Sequence, residues 1–213
     1  MIYKVALFDL DGTLVYTEPK HRYLLVGKIL RTLGVSSDKR YIDMFWFETK
    51  RNDIIREYFK VDPVLFWATF KKFDNIRLRE RYTKPYEDVR FLRELKNNGT
   101  KTGLITGAPP HIATLEIGLL GFEFDAMVIA HTSNGIKPKP HPHGIEECLS
   151  ILSMNKEDAV YIGNAEEDVL TAKAAGVMDI MMERGDYHFP NVEPSIRINS
   201  LFALRPYFGL IKS

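Results

Sequence analysis

The chain has 213 residues, with 29 Lys and Arg against 28 Asp and Glu, a formal net charge of +1, and is 45% hydrophobic and 27% charged. That length allows one sizeable core plus a smaller appended module, and the near-balanced charge leaves no field suited to bulk nucleic-acid binding. No apolar run approaches the roughly 18 residues of a membrane span, the opening MIYKVALFDLDG lacks a signal-peptide cleavage pattern, and a single cysteine, Cys148, excludes a disulfide framework or Cys-based zinc site. The expectation is a cytoplasmic protein with neither nucleic acid nor membrane as partner, in which Cys148 is a small buried apolar residue.

Ile2 to Phe8 is a short apolar run ended by a Gly-containing turn, and it predicts a buried strand. Between Val15 and Thr83 no comparable run appears, and apolar residues recur at three and four, which predicts a helical insertion. Within it Phe66, Phe70 and Phe73, with Trp67 alongside, share one helical face and are expected to form that insertion's core rather than a ligand cage. Lys71, Lys72, Arg77, Arg79, Arg81 and Lys84 make a basic stretch, expected to be a solvated face. From Pro85 the pattern alternates: a helical stretch stopped at Gly99, then strand-like runs at Lys101 to Thr106, Ala126 to Ala130, Ala159 to Gly163, Ile180 to Met182 and Ile196 to Ile198, with amphipathic stretches between most of them. Such alternation predicts a doubly wound α/β core, a Rossmann-like parallel sheet covered by helices.

Asp9 and Asp11 stand two apart at the carboxyl end of the first strand, followed by Gly12 and Thr13. Strand ends of this kind are where open parallel sheets bind ligands. If the segment stays extended, alternation sends both carboxylates to one side, and two such charges favour a cation between them. Magnesium suits hard oxygen donors that also share the ion with phosphate and water. Asp-x-Asp-Gly is also ordinary turn chemistry and opens EF-hand loops. The EF-hand reading fails because position 12 counted from Asp9 is Lys20 and no helix precedes the loop.

These residues resemble the haloacid dehalogenase-like hydrolase superfamily over most of the chain. DLDGTL (Asp9 to Leu14) resembles its first motif, and LITGAP places Thr106 as the hydroxyl residue of the second. IKPKPHP resembles the third and IGNAEEDVLTAKAAG the fourth, with Asp168 in its second acidic position. The resemblance implies that Asp9 is a nucleophile forming an aspartyl-phosphate and that Asp11 is a general acid and base. It implies that Thr106 and the Gly107 backbone hold the phosphoryl group and that a lysine neutralises its charge. Both Lys137 and Lys139 fit the third motif locally, and the family's spacing to the fourth motif selects Lys139. The implied magnesium ligands are Asp9, Asp11, Asn164 and Asp168. Asn164 departs from the family's usual Asp, offering a carbonyl oxygen without the charge. Glu166 and Glu167 fit equally well as partners of a helix N-terminus.

Three further features carry less chemistry. His141 and His143 flank Pro142 without assignable co-ligands for zinc. His21, in TEPKH, resembles a hinge histidine of mutase-like relatives. Gly12 belongs to a turn, because no dinucleotide fingerprint follows the strand. The expected organisation is a core of residues 1–14 and 84–213 with a helical cap at 15–83, a cap expected to close over the site and select a small phosphorylated metabolite. The expected function is a magnesium-dependent phosphatase of small phosphate monoesters. Alternatives are a β-phosphoglucomutase-like phosphomutase and a catalytically weakened regulatory homologue.

Overall fold

The computed structural model describes residues 2–74 and 76–210. The chain divides into two compact units, Met1–Tyr16 with Lys84–Ser213, and Thr17–Thr83. In chain order the elements are β1 (Val5–Phe8), β2 (Val15–Thr17), α1 (Pro19–Thr32), α2 (Lys39–Phe47), α3 (Arg51–Glu57), α4 (Pro63–Phe73), α5 (Ile76–Tyr82) and β3 (Thr83–Pro85). They continue with α6 (Phe91–Asn97), β4 (Lys101–Thr106), α7 (Pro110–Leu120), β5 (Ala126–Ile129), α8 (His143–Leu152), β6 (Ala159–Gly163), α9 (Glu166–Ala175), β7 (Met178–Met182) and β8 (Ile196–Ile198).

The larger unit is the Rossmann-like α/β layer structure that the alternating text predicts. Its six strands run in the order β5-β4-β1-β6-β7-β8, and every neighbouring pair is parallel. Strand alternation divides the core between two faces. Ala6 and Phe8 of β1 join Leu104, Val160, Ile162 and Ile180 against Phe91, Leu92 and Leu95 of α6 and the C-terminal Leu201, Leu204 and Phe208. Val5 and Leu7 face the other way with Ile105, Val128 and Tyr161, covered by Ile145, Cys148 and Leu149 of α8. Gly103 makes that second layer close: a Cβ there would stand 2.5 Å from Leu7 and 2.6 Å from the Cys148 sulfur. Burial pushes the Cys148 thiol up to about 12, as suits a packing residue rather than a nucleophile.

The sheet order has a direct consequence for ligand binding. From β1 the chain moves to β4 and β5 on one side, then crosses to β6 and continues outward through β7 and β8 on the other. The ends of β1 and β6 therefore flank the crevice where loops diverge, and Asp9 and Asn164 lie just beyond those ends.

The inserted unit is helical. Leu25, Val26, Ile29 and Leu30 of α1 meet Ile42 and Phe45 of α2, Ile54 and Ile55 of α3, and Phe59 and Phe66, with Trp67, Phe70 and Phe73 packed against them. Phe45 and Phe66 meet edge to face at 5.0 Å; this is core packing, not an open cage. The basic stretch is mostly exposed, but Arg79 is buried and lies over the Trp46 ring at 5.8 Å. The chain enters and leaves this unit through β2 and β3, which pair as a two-stranded sheet. Neither strand was visible as an apolar run. The helix expected from Pro85 begins instead as a 3-10 turn at Glu87–Arg90 before α6. No helix among the described residues is long and apolar enough to cross a membrane.

Candidate active site

The loop after β1 is shaped by its own sequence. Gly12 has φ +85, a left-handed conformation, and a Cβ there would stand 2.2 Å from the Asn164 side-chain nitrogen. Glycine thus answers both the turn and the approach of the Asn164 side chain. Thr13, fully buried, then points its hydroxyl back to Asp9 Oδ2 at 3.0 Å and to Asn164 Oδ1 at 3.3 Å. One hydroxyl therefore ties the ends of β1 and β6.

Asp9 is 5% exposed, and its backbone N–H donates to Ile162 O, continuing the parallel ladder past the strand end. Its Oδ1 accepts from Lys139 Nζ at 2.7 Å. The same ammonium donates to Asp168 Oδ1 at 2.6 Å and to the Tyr161 hydroxyl at 3.3 Å. Lys139 is sequestered, with a side chain 4% exposed, whereas Lys137 is exposed and its backbone N–H donates to His143 Nδ1. Burial would discharge Lys139, but Asp168 and Asp9 hold its pKa well above the ordinary lysine value. Burial pushes the Asp9 carboxyl up to about 7, with Lys139 pulling it down and Asp168 adding repulsion.

Asp168, expected as a metal ligand, faces the lysine and the start of α9. Its Oδ1 takes Lys139 and the Tyr161 hydroxyl at 3.1 Å, and its Oδ2 takes the Ala165 N–H at 3.0 Å. With donors on both oxygens and the residue buried beneath the start of α9, this carboxylate anchors the lysine. Gly163 permits it, since a Cβ there would lie 2.3 Å from Asp168 Cγ. Glu166 and Glu167 occupy the first turn of α9, where their charges complement the helix N-terminus.

Thr106 ends β4, buried, with its hydroxyl accepting the Ala108 N–H at 3.1 Å. Gly107 lies beside the lysine, its virtual Cβ 3.8 Å from Lys139 Cε. Asp11 is half-buried in the loop after β1, bridged to Val15. His141 and His143 each use Nδ1 to accept a backbone N–H, from His143 and Lys137 respectively. His21 is buried in α1 of the other unit with neither ring nitrogen hydrogen-bonded.

The donors around Asp9 fit a hard cation. The Asp9 carboxylate and the Asn164 amide oxygen are within reach of one hydroxyl, and Asp11 follows in the same loop. Asp9 and Asp168 share the single Lys139 ammonium, so two buried carboxylates face one cation. Among the described residues no group of three His, Cys, Asp or Glu side chains forms a metal cluster, so an ion here would depend on amide, backbone and substrate oxygens as well.

A family model for haloacid dehalogenase-like hydrolases matches residues 6–182. The chain belongs to that family. It is 25% identical to pyrophosphatase PpaX of Halalkalibacterium halodurans over 96% of both chains, and 26% identical to PpaX of Bacillus cereus strain B4264 over 94% of both. Its fold matches a HAD phosphatase from Thermococcus onnurineus with TM-score 0.69 at 26% identity, covering 99% of this chain and 100% of that one. A HAD family hydrolase from Deinococcus radiodurans R1, crystallised with bound phosphate and sodium, matches with TM-score 0.76 at 18% identity over 99% of this chain and 98% of that one. The chain is an enzyme of the hydrolase class.

The motif reading assigns no role to three residues of this neighbourhood. Tyr161 could have been noticed as a polar ring inside a buried strand run, and Thr13 as a hydroxyl next to the paired carboxylates. Arg184, just past the strand run ending at Met182, stands at a strand end like the motif residues, but belongs to no motif.

Proposed function

We propose that this hydrolase is a magnesium-dependent phosphatase that cleaves a small phosphate ester through an aspartyl-phosphate on Asp9. The observation that carries the reading is the buried Lys139 ammonium, held by Asp168 and set against Asp9 Oδ1 at 2.7 Å. A carboxylate needs only positioning and charge relief to attack phosphorus, and a fixed cation at its side provides both for the transferring group.

Asp9 attacks phosphorus and forms an oxygen–phosphorus bond while the ester oxygen departs and takes a proton from Asp11. Asp11, now a carboxylate, removes a proton from water, whose oxygen attacks phosphorus and returns Asp9 with release of inorganic phosphate. Thr106 and the Gly107 backbone hold phosphoryl oxygens, and Lys139 neutralises their charge. Asp168 and Tyr161 hold Lys139 in place, and Thr13 orients Asp9. Asp9, Asp11 and Asn164 are the residues that would hold magnesium, whose charge, when bound, offsets that of the phosphate.

The substrate class is a small phosphorylated metabolite of the cytoplasm. A second reading, inorganic pyrophosphate, is favoured by the PpaX relatives, similar along nearly the whole chain. The deciding test is Asp9→Asn: magnesium-dependent hydrolysis of p-nitrophenyl phosphate should disappear while the variant melts as a folded protein. Full activity in that variant sinks the mechanism. Phosphate release from pyrophosphate, compared with that from sugar monophosphates, separates the two substrate readings, and isomerised sugar phosphate without free phosphate would identify a mutase.

A further inference from the structure

Behind the loop after β1 lies a buried cation that the mechanism above does not use. Arg184 follows β7, and its side chain is 8% exposed. Its guanidinium grips Asp88 with both terminal nitrogens, Nη1 to Oδ2 at 2.8 Å and Nη2 to Oδ1 at 3.0 Å. It stacks on the Tyr86 ring at 3.9 Å. Asp88 is itself fastened by the Leu201 N–H at 2.8 Å. Burial alone would raise the Asp88 carboxyl, but the Arg184 and Leu201 hydrogen bonds hold it below its ordinary range.

An ion pair that served only to join its neighbourhood would end there. Arg184 Nη2 also donates to the carbonyl oxygen of Thr13 at 2.7 Å. Thr13 is the residue whose hydroxyl touches both Asp9 and Asn164. The contact chain therefore runs from a fixed, always charged fork, through one backbone carbonyl, to the nucleophile and the amide at the crevice. A small displacement of that carbonyl moves the Thr13 hydroxyl and with it the Asp9 carboxylate, whose geometry sets the rate of attack.

We propose that Arg184 is a positioning residue for the nucleophile loop, held by Asp88 and acting through the Thr13 carbonyl. This role rests on the phosphatase reading, in which Asp9 attacks phosphorus. Arg184 hydrogen-bonds Asp88 and the Thr13 carbonyl rather than the Asp9 carboxylate, so its expected effect is on kcat rather than on ground-state binding.

Three variants test it: Arg184→Met, Arg184→Lys and the double Asp88→Asn with Arg184→Met. The lysine keeps a cation beside Asp88 but lacks the fork needed to reach the Thr13 carbonyl as well. The double variant removes both buried charges, while the amide oxygen introduced by Asp88→Asn still accepts the Leu201 N–H, so its melting temperature should recover toward wild type. In each folded variant kcat for p-nitrophenyl phosphate should fall at least about tenfold, with KM within about twofold. Amide exchange of the peptide spanning Asp9 to Val15 should also quicken, a readout that needs no turnover. A folded variant with wild-type kcat and wild-type exchange overturns the proposal, most directly the double variant with its stability restored. An inactive wild-type chain would sink the phosphatase reading instead, and the exchange measurement would still decide whether Arg184 clamps the loop.

Discussion

Replacing Lys139 by methionine removes the cation set between Asp9 and Asp168 while preserving the length of the buried stem. The ammonium lies 2.7 Å from one carboxylate and 2.6 Å from the other, with side chains 4%, 7% and 2% exposed. At an effective dielectric constant of about 20 each contact supplies roughly 6 kcal/mol of gross attraction, opposed by a desolvation penalty of several kcal/mol per ion. Deleting one member leaves the others buried and repelling, a change that typically costs about 3–5 kcal/mol. In a protein of this size that lowers the melting temperature by about 10 °C. The loss should depend on pH with a definite sign. Asp9 is raised by burial, and Lys139 is the strongest influence lowering it, so without the lysine it rises further above about 7. The folded variant then takes up the proton before the unfolded chain does, so the deficit is full above that pKa and shrinks as pH falls through it. Thermal melts of variant and wild type at pH 8 and pH 5.5, without magnesium, measure this. Turnover of p-nitrophenyl phosphate should fall by about 100- to 1,000-fold, the usual effect of deleting one electrostatic stabiliser. A variant that melts with the wild type at pH 8, or whose deficit grows toward acid, would refute the account of Lys139.

Three further outcomes are expected. Asn164→Asp should lower the magnesium concentration giving half-maximal activity, by adding a charged oxygen to the donor set; an unchanged or higher requirement in a magnesium titration would count against Asn164 as a ligand. Gly12→Ala should cost on the order of 1–3 kcal/mol in denaturant melts and reduce kcat, because φ is +85 and the methyl group meets the Asn164 side chain; wild-type stability and rate would show that the loop relaxes freely. His21, between Trp46 and Tyr82 with neither ring nitrogen hydrogen-bonded, is lowered by burial and by Arg79 to about 4. The folded chain keeps it neutral while the unfolded chain protonates near pH 6.5, so its contribution is present above that pH and disappears toward pH 4. The span is roughly 3 kcal/mol. His21→Leu should flatten the dependence of melting on pH across that window, and an unaltered profile would contradict the buried neutral imidazole.

Several parts of the fold were legible because local sequence and burial agree. The runs at Lys101 to Thr106, Ala159 to Gly163 and Ile196 to Ile198 are strands with those same limits; the first two are buried along nearly their whole length, as suits inner strands of a parallel sheet. By contrast, β2 and β3 are three residues each and carry no apolar pattern to distinguish them from loop. The inward turn of Arg79 was equally hidden, because a helical arginine lies inside or outside according to what faces it, here the Trp46 ring.

The site divides along the same line. By itself the sequence singled out the groups proposed to react: Asp9 and Asp11 are two apart at a strand end, where spacing and carboxylate chemistry are local properties. It also determined that the first, second and fourth motifs would follow apolar strand runs, with the third, IKPKPHP, standing just before a helix. Only the tertiary structure decided what each group touches. Lys139 meets Asp9 across 130 residues, and Arg184 meets Thr13 across 171. Asp168, two oxygens that serve a cation equally well from either side, is turned to the lysine because Tyr161 and the Ala165 N–H fix its carboxylate there. Contacts of this kind depend on which strands the sheet sets side by side, and that order is settled by long-range packing that no single stretch of chain encodes.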